Sequence, residues 1–307
     1  MKTTDLTLAG ILVAPVLGLA LTGCGGGGAS TGSLSVAITD AAVDNADNVV
    51  VEFFGVELQP ASGELITYDF TEQCSLDPAS CQIDLLALNG GVSELILDNE
   101  TVPSGEYSWL RFMVNASPNV RDSYIVVNGE EFELQIPSGA ESGLKLNQGF
   151  VVPAGGSADF TVDFDLRKSV HDPVGSSDYL LRPALRIVDN SLVGTLTGNV
   201  DASFFAGGLC SGAVYVFFGG TVDAPDDEDG EGGGPDPITS VLVPDDGVYA
   251  YTVSFLSEGD YHIAFTCDAA ADDPAVDDDA ATVAFLAEAT VTIIPNDTTD
   301  YPFPPAP

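Results

Sequence analysis

From Ser33 onward, apolar and polar residues alternate in short runs, and Gly, Pro, Asn or Asp ends each run. A period of two marks a strand with one buried face. Residues 33–39, 48–58 and 160–166 alternate, and further strand candidates fall at 110–114, 124–127 and 132–136 and again at 194–200, 213–218, 238–243, 248–255, 261–266 and 282–294. Short strands separated by turn residues pack as sandwiches or barrels. We therefore expect an all-β chain of two β-sandwich domains, residues 33–192 and 193–307. Residues 83–97 depart from the pattern, being rich in Leu and Ala, and predict a helical turn before Pro103. Both halves carry one device ahead of a strand, Gly105-Glu106-Tyr107 and Gly259-Asp260-Tyr261. Gly allows the tight turn, and Tyr opens the inward face of the next strand. The segment Tyr301-Pro302-Phe303-Pro304-Pro305 cannot sit inside a sheet and is expected as an extended end.

The first residues read as an address. Residues 6–20 form an apolar run of fifteen, short of the ~20 needed to span a bilayer as a helix and suited to the core of a secretory signal. The run ends in Leu21-Thr22-Gly23-Cys24, which resembles the bacterial lipobox, where the peptide is cut before a Cys that then carries lipid. That resemblance implies a lipoprotein signal peptide over residues 1–23 and lipidation at Cys24. Residues 24–32 then form a Gly-rich flexible tether. Gly25, rather than Asp, is similar to the Gram-negative sorting signal for the outer membrane, so the membrane is an expected partner through the N-terminal lipid. Residues 23–28 fit G-x-G-x-x-G and residues 28–32 fit G-x-S-x-G. Both motifs need a strand before and a helix after, and here they fall between signal and tether.

Charge excludes one large class of function. The chain has 47 acidic and 8 basic residues, a net charge of −39, so nucleic acid would be repelled. Residues 195–307 hold 21 acids and no Lys or Arg. Such a surface keeps proteins apart in salt-rich surroundings. The acids concentrate in two loops, residues 223–237 and 268–279. The first begins like an EF-hand, but its twelfth position is Ile238 or Pro237 rather than the bidentate Glu. Solvated loops are the plain expectation. If the loops meet, Asp226, Asp227, Asp229, Asp277, Asp278 and Asp279 form a weak calcium site, because clustered carboxylates repel until a hard cation neutralises them. Calcium is the one cofactor this allows.

Five Cys minus the lipidated Cys24 leaves four. Export makes disulfides plausible, and we expect Cys74–Cys81 and Cys210–Cys267. In the chain-entropy model they contribute ~2–3 and ~4 kcal/mol. With no C-x-x-C and two His, a metal centre is a poor alternative. Alternation over 261–267 turns Tyr261, Ile263, Phe265 and Cys267 inward and His262, Ala264 and Thr266 toward solvent. His171 lies beside Pro173 and is expected in an exposed loop.

Five of the seven basic residues after Cys24 fall between positions 145 and 186. On the 160–166 strand, Phe160, Val162, Phe164 and Leu166 share one face and Asp163, Asp165 and Arg167 the other. Two carboxylates on one face call for a nearby cation, from Lys145, Arg182 or Arg186. Lys145 lies between two Leu, which predicts a packed stem. The cluster reads either as ion pairs fixing strand register or as a polar pocket for a small or glycan ligand. Paired carboxylates also serve glycoside cleavage, but so many acids make chance pairs unavoidable, and Trp109 is the only Trp.

The stretches 32–42, with Ser33-Leu34-Ser35-Val36, 138–146, Asp163-Phe164-Asp165 and Leu181-Arg182-Pro183-Ala184 together resemble a family of bacterial lipoproteins, the domain-of-unknown-function family numbered 4382. The resemblance covers residues 32–190. Ala41-Ala42 departs from it, where Ala-Pro is the family's pattern. It implies an exported β-rich domain and no catalytic residues. Residues 247–253 with Gly259-Asp260-Tyr261 resemble transthyretin-like or carboxypeptidase-regulatory-like sandwiches. The expected function is an envelope lipoprotein, not an enzyme, that binds a protein or glycan partner. Its rivals are a calcium-responsive adhesion or matrix module and a carboxylate-dependent glycoside hydrolase.

Overall fold

A computed structural model describes residues 30–41, 46–78, 81–115, 120–137, 143–172, 178–208, 210–222, 225–227, 235–272 and 282–305. The expected signal peptide, Cys24 and most of the tether lie outside the described residues. Among the described residues, no helix is long and apolar enough to cross a membrane.

The fold is all-β, as expected, with two pairs of sheets. The first pair is built from β1 (Thr31–Ala41), β2 (Asn48–Pro60), β3 (Ile66–Asp69), β4 (Gln82–Asp84), β5 (Glu94–Pro103), β6 (Gly105–Asn115), β7 (Tyr124–Val127), β8 (Glu130–Gln135), β9 (Leu144–Leu146), β10 (Phe150–Val152), β11 (Ser157–Asp165), β12 (Val170–His171), β13 (Tyr179–Leu181) and β14 (Ala184–Asp189). One sheet has the order β14-β11-β1-β5, with β1 and β11 parallel. The other runs β10-β6-β2-β7-β8-β13-β12, with β3 and β4 also on β2 and β9 on β6. Leu34, Val36 and Ile38 from one sheet and Leu110, Phe112 and Val114 from the other meet in the core. The doubled Phe53-Phe54 is a register shift against β6. It moves the inward phase from Val49, Val51 and Phe53 to Val56 and Leu58, as a β-bulge does. The Leu-rich stretch holds the expected turn, a 3-10 segment at Leu85–Leu88. A short helix, α1 (Thr71–Leu76), was not expected; it carries Cys74 into the bond with Cys81, Cα–Cα 5.5 Å.

The second pair comprises β15 (Val193–Asn199), β16 (Gly212–Phe218), β17 (Thr239–Val243), β18 (Ala250–Ser257), β19 (Gly259–Thr266), β20 (Phe285–Ile293) and β21 (Thr298–Asp300). The sheets are β18-β15-β21 and β17-β16-β19-β20. Cys210 and Cys267 are bonded, Cα–Cα 4.4 Å.

The device shared by the two halves has a common geometry. Gly105 and Gly259 sit at φ +139° and +154°, in backbone space that favours Gly. The buried Tyr107 hydroxyl donates to Pro103 O at 2.7 Å, and the buried Tyr261 hydroxyl to Ser257 O at 2.8 Å. Each Tyr reaches back four residues and ties the turn to the strand it opens.

Three expectations are corrected. His262, Ala264 and Thr266 are buried, because β16 and β19 are covered on both faces. Tyr215, Phe217, Ala264 and Ala269 form a second apolar cluster on the face expected to meet solvent. His262 packs edge-on to Phe217 with Nε2 3.1 Å from a Glu288 carboxylate oxygen. His171 is half-buried on β12 rather than exposed in a loop. The Pro-rich end is extended but docked: Phe303 is buried against Tyr251 and Phe265 and bridges to Val200. Pro on either side leaves Phe303 as the residue that can pair.

Phe303→Ala should therefore destabilise the second pair of sheets by about 3–5 kcal/mol, read as a lowered denaturant midpoint. A cost under about 1 kcal/mol would mean the end is not part of the core.

Candidate functional site

The outer face of β11 is not a solvent face. Asp165 accepts from Lys168 N at 3.2 Å and so starts a one-turn helix, α2 (Leu166–Ser169). The turn aims Arg167 away from the first core and into the second pair of sheets. Its guanidinium donates to Asp272 Oδ2 at 2.9 Å, to Ala269 O at 2.6 Å and to the Tyr215 hydroxyl, and lies 5.5 Å above the Tyr215 ring. The Tyr215 hydroxyl in turn donates to Asp272. The Arg167 and Asp272 side chains are 4% and 0% exposed. Burial pushes the Tyr215 hydroxyl far up, against the pull of Arg167, so it stays a donor at any physiological pH. Lys168 Nζ adds a bond to Pro237 O at 3.0 Å.

Beside this junction, Asp163 and Arg186 are register partners on β11 and β14, with Nε and one terminal nitrogen 2.7 and 2.6 Å from Asp163 Oδ2. Burial raises the Asp163 carboxyl, and Arg186 opposes that rise. The pair lines a cavity of about 30 Å³ walled by Thr39 and Asn89 on one side and Ser240 and Ser254 on the other. A cavity of that size holds about one or two waters. It has no room for a sugar.

The five residues expected as one polar cluster are thus divided. Asp163 and Arg186 meet. Asp165 serves the α2 turn, with Lys168 Nζ 4.0 Å away. Arg182 is exposed outside any strand and shares no ion pair with them. Lys145 is on the other sheet and exposed, not packed between its Leu neighbours; its Nζ stands 4.5 Å over the Trp109 ring. There Arg111 also approaches Trp109, at 5.6 Å, and pairs with Glu57, its cross-strand neighbour.

Of the expected calcium ligands, Asp229, Asp277, Asp278 and Asp279 lie outside the described residues. Asp226 is half-buried and Asp227 buried. Among the described residues, no group of His, Cys, Asp and Glu is placed to hold a metal ion. Asp272, from the second acidic loop, is engaged by Arg167. The Arg167–Tyr215–Asp272 junction was missed because its ends are 105 residues apart. One signal did exist: residues 213–218 are apolar or small at every position, as in a strand buried on both faces. The disulfide hairpin of α1 adds a shallow groove of about 560 Å³ lined by Phe54, Pro78, Gln82 and Val120.

Residues 31–183 match the family described as "Domain of unknown function (DUF4382)". No curated protein matches the chain. Solved structures similar to it include the Bacillus anthracis TIE protein, at 11% identity over 89% of this chain and 33% of that one, TM-score 0.20. The minor pilin GBS52 of Streptococcus agalactiae has 12% identity over 90% and 98%, TM-score 0.20. The shaft pilin SpaA of Lactobacillus rhamnosus GG has 8% identity over 90% and 98%, TM-score 0.23. The chain spans about a third of the length of the first of these. Scores this low do not describe a shared arrangement of the whole chain.

Removing one partner of a buried pair leaves the other charge uncompensated. Arg167→Ala should cost about 3–5 kcal/mol in urea unfolding, and Arg167→Met combined with Asp272→Leu should recover most of it. A loss in the double variant equal to the sum of the losses in Arg167→Met and Asp272→Leu alone would show that the pair is not coupled.

Proposed function

We propose that this protein is a lipid-anchored lipoprotein of the outer membrane whose two β-sandwiches form one rigid, non-catalytic binding or scaffold module for a protein or glycan partner. The observation that carries the reading is the buried Arg167–Asp272–Tyr215 junction. It fixes the second pair of sheets against the first, which suits a part that presents surfaces at a set spacing. The carboxylates considered for glycoside cleavage support the same reading. Asp163 is tied to Arg186 beside a water-sized cavity, and Asp165 to a helical turn, so neither faces a cleft where a sugar bond fits. The anchor rests on the lipobox-like Leu21-Thr22-Gly23-Cys24 and the Gly tract behind it. The seven strands of the second pair, split three and four, suit a transthyretin-like sandwich.

Metabolic labelling with a fatty-acid probe should tag the wild-type chain and not Cys24→Ser, which should leave the membrane fraction. Label on Cys24→Ser would overturn the anchor. Photoreactive residues at Pro235 and at Arg182, one for each pair of sheets, should trap an envelope protein or glycan in living cells. Turnover of a glycoside by the purified chain, lost in Asp163→Asn with the fold intact, would replace the binding reading with a hydrolase.

A further inference from the structure

We propose that the open face of the ten-stranded sheet around Trp109 is a platform for a short acidic glycan, with the sugar carboxylate seated at Lys145. This deepens the binding reading above and rests on it. On β6, Leu110, Phe112 and Val114 enter the core, so Trp109, Arg111 and Met113 face outward and are half-exposed. This face belongs to the sheet that does not carry the junction with the second pair.

Register places Glu57, Arg111 and Lys145 side by side across β2, β6 and β9. Two cations directly opposite one another destabilise a sheet. Glu57 answers Arg111. Among the described residues no carboxylate pairs with Lys145, which instead lies over the indole. A chain with 47 acids and 8 bases thus sets two bases together on an open face, with the one paired acid on the far side of Arg111 from Lys145. Among the described residues the arrangement is one negative charge short.

The surroundings say what form that charge takes. Trp109, the only Trp in the chain, is half-exposed, with Lys145 and Arg111 against part of its ring and the rest left to a ligand. Gln59 is its register partner, and Asn147, exposed, follows Lys145 and Leu146. A sugar ring has an apolar C–H face for an aromatic plane and hydroxyls for amides, which both donate and accept. A uronic acid adds the carboxylate for Lys145. The charge of −39 opposes long polyanions, but at physiological salt a charge acts over only ~8 Å. A short glycan in contact with Lys145 therefore meets the local cations first.

The single Trp makes the test direct. Trigalacturonate, added to the full-length chain, should quench indole emission to saturation. Its carboxyl-reduced neutral counterpart should bind about ten- to a hundredfold more weakly, as should the acid on Lys145→Ala, since each loses a charge-assisted hydrogen bond. Lys145→Arg should keep most of the affinity, and Arg182→Ala all of it. An unchanged emission in folded protein would overturn the proposal, as would equal binding of the neutral sugar or by Lys145→Ala. Displacement by a poly-glutamate peptide as effective as the uronate would make the patch a site for acidic protein instead. Photo-crosslinking to an envelope partner that persists in Lys145→Ala would retain the binding module and remove only this site.

Discussion

One buried guanidinium joins the two halves of this protein. Taking Arg167 out of water is costly, and the structure offsets that cost with a carboxylate, a hydroxyl, a backbone carbonyl and an aromatic face. A planar, always-charged fork can meet all four at once, which an ammonium cannot. The described partners Tyr215, Ala269 and Asp272 all come from beyond residue 210, so the second pair of sheets must be in place before Arg167 can be buried as it is. Two sandwiches joined only by the short link from Asp189 to Val193 would swing. With this pair between them the two are held in contact.

The scarcity of cations makes their placement informative. Arg167 and Arg186 neutralise Asp272 and Asp163 where the halves meet, and Arg111 neutralises the buried Glu57. Lys168 serves Asp165 and a backbone carbonyl. Four of the seven basic residues after Cys24 thus serve carboxylates that are buried or half-buried, while Arg121, Lys145 and Arg182 stand on a surface otherwise dominated by acids. Strong self-repulsion follows at low ionic strength, and screening relieves it as salt rises. The buried pairs are screened far less, so the joint holds in the saline conditions the surface suits.

Much of the fold was legible because alternation is local. The runs at 33–39 and 160–166 needed only the period of two, and the Phe53-Phe54 bulge was visible as a doubled letter. Local periodicity says which residues share a face, not whether a second layer covers the other one. That is why His262 and Ala264 were expected in water and are buried, and why Asp163 and Arg167 read as a surface cluster when they lie under the second pair of sheets. Short strands such as β9 and β12 exist because a neighbour offers an edge, so no alternation announces them. Within the candidate site, the Asp163–Arg186 link was among the expected pairs, while Asp272 was hidden in a run of acids with nothing to distinguish it from those around it.

The same division bears on what the molecule can bind. One broad face of the first sandwich is covered by the junction, which leaves beside it a cavity of about 30 Å³. The remaining faces are mostly acidic, and an acidic surface alone discriminates poorly, since it attracts any small cation and repels any anion. Specificity requires a place where that rule breaks. Lys145 over Trp109, beside Arg111, is such a place: a locally positive, aromatic spot on a rigid sheet. It lies on the sheet opposite the junction, so a ligand there leaves the contacts that hold the two halves together intact.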